Sequence, residues 1–107
     1  MNTGHDGGTG TVHANSVREV PARLEALAAV GGLPRAALHS QLAAALQVVL
    51  HMRRLRGGAR VLDAVGVLRR VAGGVEVRPA WSRAGGWTAE RDALAELLAE
   101  REVAVPW

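Results

Sequence analysis

The chain has no cysteine, no lysine, and no isoleucine, phenylalanine or tyrosine. Each absence excludes something. Without cysteine there is no disulfide framework, no zinc–thiolate site and no cysteine nucleophile. Without lysine there is no Walker A loop, because G-x-x-x-x-G-K-[ST] needs a lysine on the phosphates. Schiff-base chemistry falls with it. All thirteen basic residues are arginine. The three tryptophans, Trp81, Trp87 and Trp107, lie in the last third, so the core before them is built from Leu, Val and Ala. Ala buries little area per residue. No apolar run approaches the ~18 residues of a membrane span. Residues 1–10 are polar and glycine-rich, unlike a signal peptide, so an intracellular location is expected.

The 107 residues suit one domain. A chain of this length buries roughly 65% of its unfolded surface, which is enough for a core. The net charge of +3 hides a gradient. Residues 1–52 balance. Residues 53–70 hold six Arg and one Asp, a local +5, and residues 88–107 hold five acids and two Arg, a local −3. A basic middle suits nucleic acid. The plainer reading is that Arg53, Arg54, Arg56 and Arg60 solvate a hairpin tip, with the acidic tail neutralising part of the basic segment.

Residues 1–10 read as a loop, and residues 9–14 as a short strand favoured by Thr and Val. Ser16 and Glu19 have capping-box spacing. Val17, Val20, Leu24, Leu27 and Ala28 follow a 3.6 period, with Pro21 near the first turn and Gly31-Gly32 as the stop. A second helix opens at Pro34 and runs to about Leu46. Its apolar face is Leu38, Leu42, Ala45 and Leu46, which leaves His39 on an exposed face. Leu46, Val48, Leu50 and Met52 then alternate at period two and make one apolar strand face that can pack, with His51 on the opposite face as a surface or interface residue rather than a ligand. Gly57-Gly58 and Gly73-Gly74 are turns between returning strands. Residues 82–87 read as loop, and Thr88 caps a last amphipathic helix with Leu94, Leu97 and Leu98 inward. Asp63 is a partner for Arg53 or Arg60.

The most specific stretch is residues 2–16, which read N-T-G-H-D-G-G-T-G-T-V-H-A-N-S. A loop of small residues lets a backbone approach a phosphate closely. A histidine there can bond a γ-phosphate or polarise the attacking water. A metal reading of His5, Asp6 and His13 matches no standard zinc spacing, and no metal site is expected.

This stretch resembles the histidine box of the type II/type IV secretion ATPase superfamily, in the TadA/CpaF branch that powers Flp/Tad pilus assembly. The branch pattern, roughly N-T-G-H-[DE]-G-x-x-x-T-[VI]-H-A-N-S, is matched at every fixed position. Residues 21–25, 43–60 and 61–70 resemble the segments that follow it. Residues 75–81 are similar to those of an actinobacterial conjugal-transfer branch. The likeness covers residues 2–81 and is weak over 82–107, the loop and last helix. Gln47 stands where the branch usually has Asp.

The resemblance implies an α/β fold, seen here as an α+β fragment: the C-terminal part of a RecA-like P-loop domain, beginning just after Walker B. It implies that His13, and with it His5, would sense the γ-phosphate, with Gly4 and Thr11 at the nucleotide. It also implies ATP and Mg²⁺ as cofactors, a homo-hexamer, membrane platform proteins as partners, and a cytoplasmic place against the inner membrane. Because Walker A and Walker B are absent, this chain alone is expected neither to bind ATP tightly nor to hydrolyse it. Two other readings compete: a non-enzymatic interaction module that kept the fold, and a small arginine-rich nucleic-acid-binding protein. The last is disfavoured because the basic segment has no aromatic residue for base stacking.

Overall fold

The computed structural model describes residues 10–100. After a single 3-10 turn at Val17–Glu19 come α1 (Val20–Val30), α2 (Arg35–Ala45), β1 (Val48–Arg54), β2 (Arg60–Val71), β3 (Gly74–Ser82), β4 (Gly86–Trp87) and α3 (Arg91–Glu100). The sheet is an antiparallel meander in the order β1-β2-β3-β4. The fold is α+β, with helices on both faces of an open sheet.

The local reasons are those the sequence offers. Pro21 lies in the first turn of α1, where its missing N–H costs nothing. Glu19 Oε2 accepts from the Asn15 N–H at 2.9 Å, so the acid of the capping pair reaches back, while Ser16 makes no side-chain cap. At the other end the amides of Gly31 and Leu33 return to the Ala28 carbonyl. Thr88 caps the approach to α3 by accepting from the Glu90 N–H at 3.1 Å.

Alternation along the strands makes two cores. On one face Leu38, Leu42 and Val75 pack with Leu24, Ala28, Leu46 and Leu68, joining α1 and α2 to the sheet. On the other, Val67, Ala80 and Leu94 pack with Val48, Val65, Leu97 and Leu98, joining α3 to it. Leu68 and Val67, neighbours in β2, therefore serve opposite cores. Glu90, before α3, adds ion pairs to Arg69 (3.7 Å) and Arg78 (3.5 Å) on the α3 side, so part of the basic segment is neutralised by the acidic end.

Gly66 is a notch. A Cβ there would overlap a Val77 methyl and meet Val17 at 3.0 Å. Only glycine lets the Val17 turn lie against β2 this closely. Val17, 3% exposed, fills that contact.

Three expectations are corrected. Residues 10–14 form no strand. A strand needs a ladder partner, and the sheet pairs of the described residues are made among β1 to β4; the Ala14 carbonyl instead accepts a side-chain hydrogen bond. The period-two face of β1 is turned outward at its far end. Leu50 is 62% and Met52 51% exposed, while His51 points into the molecule. The α3 core reaches Val48 only, and the Val17 turn contacts β1 from the His51 side. Within residues 82–87, Gly86-Trp87 pairs with Trp81 and Ser82 as β4.

Candidate functional site

The segment 2–16 enters the described structure at Gly10. Thr11 and His13 are exposed, and Val12 and Ala14 are half-buried between and after them. No hydrogen bond or ion pair joins His13 or Thr11 to another described residue. Gly4, His5 and Asp6 lie outside the described residues.

The far end of the segment is held firmly. His51 Nε2 donates to the Ala14 carbonyl at 3.2 Å. The Asn15 amide is held by Glu19, and the next turn is anchored by Val17 in the Gly66 notch. His51 is itself seated by a bulge. The β1–β2 register slips between His51 and Met52, leaving Asp63 without a cross-strand partner. Its carboxylate lies 3.3 Å from His51 Nδ1 and 3.2 Å from Arg53 Nε. Asp63 thus pairs with Arg53, as the sequence suggested, and also orients the imidazole that holds Ala14. Period-two reasoning left His51 as a surface or interface residue because it fixes which residues share a face, not which face is covered.

A second polar cluster ties α1 and α2 to the β2–β3 turn, and it corrects the placement of His39. The ring is 5% exposed. Nδ1 accepts from the Val75 N–H at 2.9 Å, so the proton sits on Nε2, which donates to Glu25 Oε1. Arg35 Nε lies 2.9 Å from the same Glu25 oxygen, and an Arg35 terminal nitrogen donates to the Gly73 carbonyl at 2.7 Å. The His39 hydrogen bond holds the Glu25 carboxyl below its ordinary range; partial burial opposes this and Arg35 reinforces it. Gly74 is required here, since a Cβ would overlap the imidazole. A signal existed in the sequence. Arg35, His39, Leu42 and Leu46 share one helical stripe at spacings of four, three and four, and the glycine pair at 73–74 offers the room.

Beside this cluster an open pocket of about 420 Å³ is lined by Arg35, His39, Ser40, Arg70 and Gly74. Both imidazole nitrogens of His39 are already bonded, so the ring offers this pocket neither a free lone pair nor a spare proton. The cluster is a brace between helices and sheet. Among the described residues no group of three His, Asp or Glu could hold a metal ion.

The chain is similar to two proteins of Mycobacterium tuberculosis, from strains CDC 1551 and H37Rv, each named as a candidate conjugal transfer protein. It is 55% identical to each over 101 residues, 94% of this chain. It spans 29% of the length of those relatives. No family model matches the chain. No solved structure matches it either. No helix among the described residues is long and apolar enough to cross a membrane.

Proposed function

We propose that this chain is the post-Walker portion of a conjugal-transfer or secretion ATPase, a RecA-like motor of the TadA/CpaF type, in which residues 2–16 face the γ-phosphate of ATP. The observation that carries the reading is residues 2–16, which match the histidine-box pattern at every fixed position. The identity to candidate conjugal transfer proteins more than three times as long supports the same context. In this reading His13, with His5, senses the γ-phosphate. Thr11 and Gly4 line the nucleotide, and Mg²⁺ and the phosphate cradle come from other parts of a longer polypeptide, assembled as a hexamer.

The local geometry is compatible with that role. A sensor needs a side chain that is free to meet its ligand on a backbone that does not drift. His13 is exposed, and one residue on the backbone is pinned to β1 through His51. A donor placed where charge develops contributes to the transition state more than to the ground state.

The test uses one of the long mycobacterial relatives. Alanine at the residue aligned with His13 should lower kcat for ATP hydrolysis about 100-fold with little change in KM. A rise in KM at unchanged kcat removes the sensor role, and a relative with no nucleotide-dependent turnover removes the ATPase reading. The 107-residue chain alone, which has no lysine, should show no magnesium-dependent turnover.

A further inference from the structure

The β1–β2 hairpin tip carries a dense run of positive charge, and the histidine-box reading gives it no task. From Arg53 to Arg60 it holds four arginines and no acid. Arg53 is paired with Asp63, but Arg54, Arg56 and Arg60 are exposed and make no ion pair with any described residue. Arg54 and Arg60 stand directly opposite each other in the ladder. Like charges in that position destabilise a hairpin, so the arrangement suits an anionic surface rather than the fold.

The same tip also exposes apolar side chains. Leu50 is 62%, Met52 51% and Leu55 40% exposed. Leu50, Met52 and Arg54 alternate onto one face of β1, which Arg60 shares by register, while Arg53 takes the other face and Leu55 and Arg56 lie in the turn. Cations therefore surround a projecting apolar end. A groove on a partner protein would meet one face of such a hairpin. A nucleic acid would use the cations but would gain little from three aliphatic side chains, with no aromatic to stack on a base. A lipid interface uses both: aliphatics enter the headgroup–acyl boundary and arginines meet anionic headgroups.

We propose that the β1–β2 tip docks end-on against an anionic bilayer, with Leu55 and Met52 entering the interface and Arg54, Arg56 and Arg60 on lipid phosphates. This does not depend on the ATPase reading.

Cosedimentation of the whole chain with vesicles tests it. The chain should bind phosphatidylglycerol vesicles, should not bind pure phosphatidylcholine vesicles, and should be released by salt. Each surface arginine contributes about fivefold, so Arg54→Ala, Arg56→Ala and Arg60→Ala together should weaken binding about 100-fold. Arg18→Ala with Arg23→Ala, exposed cations on the Val17 turn and α1, should leave it unchanged. Leu55→Ser should weaken vesicle binding several-fold without altering binding to soluble polyglutamate or duplex DNA. All these positions are exposed, so unchanged circular dichroism confirms that each variant is folded. Failure to bind the anionic vesicles, or equal binding by the triple variant, overturns the proposal. Duplex DNA bound more tightly than vesicles, with Leu55→Ser silent in both, replaces it with a nucleic-acid surface.

Discussion

His39 and His51 do the same mechanical work in opposite chemical ways. Each ties two segments far apart in the chain: His39 joins α1 and α2 to the β2–β3 turn, and His51 joins residue 14 to the β1–β2 ladder. His39 meets one donor and one acceptor, so the neutral ring satisfies both nitrogens. His51 meets two acceptors, a carboxylate and a carbonyl, and a neutral ring can donate to only one of them. The first is a buried brace. The second sits at the rim and holds the one segment with motif character. Residues 10–16 are thus held by one imidazole, the Asn15–Glu19 hydrogen bond and a valine notch.

The largest expected effect breaks the brace. His39→Ala strands the buried Val75 N–H and should cost about 2–3 kcal/mol in denaturant unfolding. Gly74→Ala, entering the same contact from the other side, should cost a similar amount through overpacking. Because the two act on one contact, the double variant should lose less than the sum.

His51→Ala should cost only about 1 kcal/mol, but its signature is local. Amides of residues 10–16, already expected to exchange faster than those of β1 and β2 because residues 10–14 have no ladder, should exchange faster still. His39→Ala should leave the ratio between these regions unchanged. Equal exchange of residues 10–16 in the two variants would show that His51 holds nothing the notch does not.

The smallest effect concerns acid. The folded carboxyl of Glu25 titrates below its ordinary range. Its contribution is therefore present above the unfolded value and is lost as pH falls through the folded one. Glu25→Gln should lower stability at neutral pH only slightly, since the site is partly exposed and screened, and should flatten the acid limb of the stability curve by the same small amount.

Much of this architecture was legible. Proline in the first turn, glycine pairs at the turns and the 3.6 and 2.0 periods mark α1, α2 and the three long strands, because each is a local preference. What was not legible needed a partner. Residues 9–14 have strand composition, but a strand is a relation between two segments, and residues 10–14 find no second one among the described residues. Leu50 and Met52 share a face as their spacing says, yet their exposure depends on how far α3 reaches. His39 was counted as surface although its stripe companions are Leu42 and Leu46. Of the candidate site, Thr11 and His13 are placed on an exposed segment with an anchored end, while Gly4 and His5 lie outside the described residues.

The notch at Gly66 has a consequence for inheritance. Positions 17, 66 and 77 lie in a turn and two strands, yet they share one small volume. A methyl added at 66 has no room until Val77 or Val17 gives one up, so none of the three can change size freely on its own. Related sequences should therefore alter them in concert: Ala at 66 should travel with a smaller residue at 77, and a larger residue at 17 should be confined to lineages that keep the glycine.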